Sequence, residues 1–147
     1  MIQVLAVCKG NRARSPMFEH LLRQALQQAG REDVVVESAG ALKEAAGLEA
    51  EEGAVIALQG VGIDISSHRA RWMGNLQFTQ YDYIYCMDPG VVPMVQAQMA
   101  TQGAVDTKML LVNEPDGVPN PYGKDQAAYQ WALEVTQCEV QKLLSAL

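Results

Sequence analysis

Ile2-Gln3-Val4-Leu5-Ala6-Val7-Cys8-Lys9-Gly10-Asn11-Arg12-Ala13-Arg14-Ser15-Pro16 is the stretch on which the reading of this chain turns. Its first six residues are a short apolar run of strand type. From Pro16 onward Met17, Leu21, Leu22, Ala25, Leu26 and Ala29 recur at helical spacing, so strand, loop and helix follow one another without a break. A thiol, five intervening residues, then an arginine and a hydroxyl describe a loop able to wrap a tetrahedral oxyanion. Backbone N–H groups of such a loop point inward, and the N-terminus of the next helix adds partial positive charge. Arg14 offers a planar fork for two oxygens, and Cys8 among those positive ends is placed to act as a nucleophile. A cysteine ending a strand is also a common core residue. The surrounding residues decide against that alone: Gly10 permits close backbone approach, Asn11 tolerates a left-handed conformation, and Ser15-Pro16 suits a helix opening with a hydroxyl cap.

The rest of the chain reads as alternating strands and helices. Strands are expected at 2–7, 34–39, 81–87 and 108–112, and helices at 16–29, 47–60, 91–102 and 124–146, with a short turn near 70–76. This alternation predicts an α/β fold, a single domain over 1–147 with a four-stranded parallel sheet covered by helices on both faces. The phosphate-binding loop lies between strand 1 and helix 1, and ligands sit beyond the carboxyl ends of the strands. Ala128, Trp131, Val135 and Cys138 share one face of the last helix, which makes Cys138 a packing residue. With 147 residues, 49% hydrophobic and 19% charged, the chain has ordinary globular usage. A net charge of -6 argues against a nucleic-acid partner, so any anion must be captured by a local basic pocket of Lys9, Arg12 and Arg14. No apolar run approaches a membrane span and no secretory segment precedes the first strand. Three cysteines without close pairing suit a reducing cytoplasm, the expected location. His20 and His68 have no cysteine or carboxylate at ligand spacing, so neither a metal nor another cofactor is expected.

The loop resembles the signature of the low-molecular-weight protein tyrosine phosphatase family, roughly V-C-x-G-N-x-x-R-S-P near the N-terminus. Further similarities follow in order: Glu37-Ser38-Ala39-Gly40, Gly60-Val61-Gly62-Ile63-Asp64 with Ser67-His68-Arg69-Ala70-Arg71, Tyr81 to Asp88, and Asn120-Pro121-Tyr122-Gly123 where the family has its Asp-Pro loop. The resemblance implies a cytoplasmic phosphatase acting on a phosphorylated protein or a small aryl phosphate, and able to bind inorganic phosphate or another oxyanion. It implies that Cys8 forms a cysteinyl-phosphate and that Lys9, Gly10, Asn11, Arg12, Ala13 and Arg14 hold the phosphate. Ser15 would donate to the Cys8 sulfur and ease its departure. Ser38 and His68 would brace the loop with Asn11, and Tyr122 would wall the substrate.

The departures from the pattern bear on activity. The position of the family's general acid is occupied by Asn120, whose amide cannot protonate a leaving phenolate, so turnover is expected to be impaired. Asp116 and Asp125 are the nearby carboxylates that could swing in instead. The segment 41–48 lacks the tryptophan often found there, and Asp88 reads as readily as a turn residue as a catalytic one. Arg12 and Ala13 replace an apolar residue and a frequent second cysteine. Three classes follow: a phosphatase, a phosphate or phosphoprotein binder without turnover, and an arsenate reductase, which would need resolving thiols that Cys86 and Cys138 do not obviously supply.

Overall fold

In the computed structural model, which describes Met1–Leu147, four strands form one parallel sheet in the order β2-β1-β3-β4. The elements are β1 (Ile2–Cys8), α1 (Arg14–Gln28), β2 (Val34–Gly40), α2 (Glu52–Gln59), β3 (Tyr83–Cys86), α3 (Val92–Gln102), β4 (Lys108–Leu111) and α4 (Gln126–Leu144). Because β1 is central, both of its faces are buried and its sequence is apolar almost without alternation, as parallel sheets require. Val4, Ala6 and Cys8 join Met17, Phe18, Leu22, Leu58 and Leu133 beneath α1, α2 and α4. Leu5 and Val7 face the other way, against Phe78, Tyr81, Ile84, Val91 and Val95 beneath α3 and the turns around it. Each large side chain so buried contributes about 1.5–3 kcal/mol.

The register aligns the ends that matter. Cys8 lies opposite Gly40, and Val7 opposite Cys86, so β1, β2 and β3 finish at one edge of the sheet. Gly40 is required there by close approach: a Cβ would sit 2.9 Å from the Gly10 carbonyl carbon. A Cβ at Gly10 itself would meet Ala45 at an ordinary 3.7 Å, so the packing demand for glycine falls on Gly40 and not on Gly10.

Three expectations are corrected. The helix expected at 47–60 begins only at Glu52, because Gly47 takes φ +85° and Glu49 bridges to Arg69 in extended backbone. Helix α1 begins at Arg14 with no side-chain cap, so Ser15 is inside its first turn and does not cap it. On α4 the buried face is Tyr129, Ala132, Leu133, Thr136 and Val140, which turns Trp131 and Cys138 outward to solvent. The face chosen from sequence was the wrong one because α4 is apolar on both sides near its centre. No helix is long and apolar enough to cross a membrane.

Candidate active site

Strand β1 delivers Cys8 to the floor of the loop that enters α1. Its Sγ accepts the Asn11 backbone N–H at 3.2 Å and lies 3.1 Å from Ser15 Oγ. Asn11 is fully buried and takes φ +57°, a left-handed turn that lets its amide face the sulfur. Its side chain keeps that turn in place: Nδ2 donates to Ser15 Oγ and to Ser38 Oγ, both at 2.8 Å, and Oδ1 accepts the Arg71 N–H at 2.9 Å. The Asn11 carbonyl lies 2.8 Å from His68 Nε2. Behind these, Ser38 Oγ donates to Glu19, whose second oxygen pairs with Arg23. The first turn of α1 holds no acidic residue and no side-chain cap, which leaves the positive end of that helix uncompensated toward the loop.

Arg14 is also buried. Its Nη1 donates to Asp88 Oδ2 at 2.7 Å and to the Val118 carbonyl at 3.2 Å, so the end of β3 aims the guanidinium. Burial raises the Asp88 pKa, but hydrogen bonds from Arg14 and the Gly90 amide and the charges of Arg14 and Lys9 outweigh it and hold the carboxyl below the usual range. Lys9 stands 3.9 Å from the same carboxylate. Arg12 turns outward, its Nε donating to the Glu49 carbonyl at 2.7 Å. A cleft of about 280 Å³ opens above the sulfur, lined by Cys8, Lys9, Gly10, Arg12, Ala13 and Arg14 on one side and by Leu42, Ala45, Leu48, Glu51, Asn120 and Tyr122 on the other.

The sequence pattern of the low molecular weight phosphotyrosine protein phosphatases matches residues 3–147. The chain belongs to that family. It is 33% identical over 134 residues to the probable low molecular weight protein-tyrosine-phosphatase EpsP of Ralstonia nicotianae, covering 91% of this chain and 88% of that one. It is 31% identical over 144 residues to YfkJ of Bacillus subtilis, covering 95% and 92%. The crystal structure of the low molecular weight protein tyrosine phosphatase from T. tengcongensis matches at a TM-score of 0.84 and 28% identity, with both chains covered fully. As a member of this family of cysteine phosphatases the chain is an enzyme of phosphatase type.

Within this phosphatase the fold brings together Cys8, Asn11, Arg14, Ser15, Ser38 and His68 around the loop, with Asn120 and Tyr122 across the cleft. Asn120 Oδ1 accepts the Tyr122 N–H at 3.2 Å, so the amide is partly engaged by its own loop. Asp116 and Asp125 do not line the cleft, and Asp125 caps α4 by accepting the Ala128 N–H. Sequence reasoning missed Asp88 as the partner of Arg14, Glu19 as the anchor of Ser38, and the aliphatic wall of Leu42 and Leu48. A carboxylate at the C-terminal end of a strand was the one available signal, and it pointed to Asp88. The fold also gathers Glu19, His20 and His68 with ligand atoms within 4.8 Å of one another, a grouping their spacing in sequence conceals. Both Glu19 oxygens are already occupied, by Ser38 and by Arg23.

Proposed function

We propose that the chain hydrolyses phosphotyrosine or small aryl phosphate monoesters through a cysteinyl-phosphate on Cys8. The observation that carries this reading is the sulfur itself, bonded by the Asn11 amide and beside the Ser15 hydroxyl at the base of a loop that opens into a cleft. The Cys8 thiolate attacks phosphorus as the bond to the aryl oxygen breaks. Water then attacks the phosphocysteine, and the thiolate leaves, assisted by Ser15. Asp88 and Val118 occupy only Nη1 of Arg14, leaving Nε and Nη2 to grip the equatorial oxygens. Lys9, Gly10, Asn11, Arg12 and Ala13 complete the phosphate loop, Arg12 adding charge at its outer rim. Leu42, Leu48 and Tyr122 give an aryl ring apolar walls.

Asn120 supports a second reading, a phosphate or phosphoprotein binder without turnover, since an amide donates no proton to a leaving phenolate. The arsenate reductase reading lacks a partner thiol at the cleft: Cys86 is buried in β3 with its thiol pushed up to about 12 by burial, and Cys138 faces solvent on α4. Hydrolysis of p-nitrophenyl phosphate by the wild type and by Cys8→Ser, at roughly pH 5–7, decides between catalyst and binder. Turnover abolished by Cys8→Ser establishes the thiolate phosphatase. Vanadate binding with no turnover above that variant establishes the binder.

A further inference from the structure

Of the residues that line the cleft, Glu51 alone carries a carboxyl group. Glu51 occupies the N-cap position of α2 yet makes no capping bond with its side chain. The carboxylate instead accepts the Tyr129 hydroxyl at 2.5 Å, while the Glu51 backbone N–H donates to the Arg12 carbonyl of the phosphate loop at 2.8 Å. Tyr129 is itself fixed, its ring lying where a Cβ on Gly53 would be, 2.4 Å away. An acidic residue at a helix start ordinarily satisfies the helix's own amides. Here it is tied to the loop by its backbone and bonded by a buried phenol that lies in the adjoining cavity shared with Arg12 and Tyr122, and the residue across the cleft is Asn120.

We infer that Glu51 is the proton donor of this phosphatase, with Tyr129 as the residue that positions it; the inference rests on the hydrolytic reading above. As the Cys8 thiolate bonds to phosphorus and the P–O bond breaks, the Glu51 carboxylic acid passes its proton to the departing aryl oxide. The resulting carboxylate keeps its hydrogen bond from Tyr129. In the second step it takes a proton from the attacking water as the new P–O bond forms and the S–P bond breaks, which returns both Glu51 and Cys8 to their starting states.

The test compares p-nitrophenyl phosphate, a good leaving group, with phenyl phosphate, a poor one, in wild type, Glu51→Gln, Tyr129→Phe and Glu51→Gln/Asn120→Asp. Removing a general acid costs roughly 10²-fold or more where the leaving group needs the proton. Glu51→Gln is therefore expected to lose about 10²-fold in kcat/KM, which reports the first chemical step, on phenyl phosphate and less than about tenfold on p-nitrophenyl phosphate. Vanadate inhibition should stay within about twofold, which shows an intact loop. Tyr129→Phe should shift the ratio of the two rates in the same direction by a smaller factor. Adding Asn120→Asp to Glu51→Gln should restore phenyl phosphate turnover from the opposite wall. Equal losses in kcat/KM on both substrates, or no loss on phenyl phosphate, overturn the assignment of Glu51 while Cys8-dependent turnover still upholds the phosphatase. Absence of Cys8-dependent turnover in the wild type overturns both.

Discussion

Replacing Asn11 by alanine removes a side chain that makes three hydrogen bonds, two buried ones from Nδ2 and a part-buried one to Oδ1. Each such bond contributes about 1 kcal/mol net, which gives about 3 kcal/mol. Alanine must also hold φ +57°, which costs about 1 kcal/mol more than the asparagine it replaces. The total of about 4 kcal/mol corresponds to a fall in Tm of roughly 10 °C for a chain of this size. Asn11→Gly separates the two contributions: it loses the same bonds without the left-handed strain, and should be less destabilised than Asn11→Ala by about 1 kcal/mol. Thermal and urea unfolding of the three proteins, followed by far-UV circular dichroism, measures both differences. A loss below about 1 kcal/mol in Asn11→Ala would show that the loop is held by something other than this carboxamide. Glycine no better than alanine would show that the left-handed turn is not what the side chain maintains.

Two further outcomes follow from the same geometry. Because the Asp88 carboxyl is held below its unfolded value, its ion pair adds stability that is complete above the ordinary carboxylate pKa of about 3.9 and is lost as pH falls through the folded one. Asp88→Asn should thus flatten the acid limb of the unfolding curve and raise KM for an aryl phosphate by roughly tenfold, because Arg14 loses its aim; an unchanged acid limb and KM would refute it. The thiols should differ sharply toward iodoacetamide near pH 7.5 when vanadate fills the loop and shields Cys8: Cys138, exposed on α4, reacts without loss of activity once vanadate is removed, and Cys86, with its thiol pushed up to about 12 by burial, reacts only on unfolding. Mass spectrometry of the alkylated native protein checks this, and early labelling of Cys86 would contradict its placement in β3.

The sheet was legible because β1 is apolar along its whole length and is followed at once by a helical repeat, a combination that admits few arrangements other than a β-loop-α unit. The loop residues were legible for the same reason: their order in sequence is their order around the site. What the chain did not reveal depends on contacts between distant segments. Asp88 meets Arg14 across 74 positions, and Tyr129 meets Glu51 across 78, with no local pattern to announce either pair. Cys138 was misplaced because Trp131 and Val135 look as apolar as Leu133 and Thr136, and only the packing of α4 on α1 and α2 chooses between the two faces. Ser15 reads in sequence both as a helix cap and as a donor to the Cys8 sulfur, and its hydroxyl stands beside that sulfur and Asn11 without capping α1.

The network behind Cys8 draws on β1, α1, β2, the 68–71 segment, the end of β3 and Val118. None of these pieces forms the loop alone, so any oxyanion the loop takes is bound by the folded chain and not by a partly unfolded one. Binding and folding are then linked by mass action: an oxyanion present at one hundred times its Kd raises the free energy of unfolding by about 2.7 kcal/mol. Inorganic phosphate, the product ion of the proposed hydrolysis, is then expected to raise Tm as its concentration rises, which thermal unfolding across a phosphate series reads.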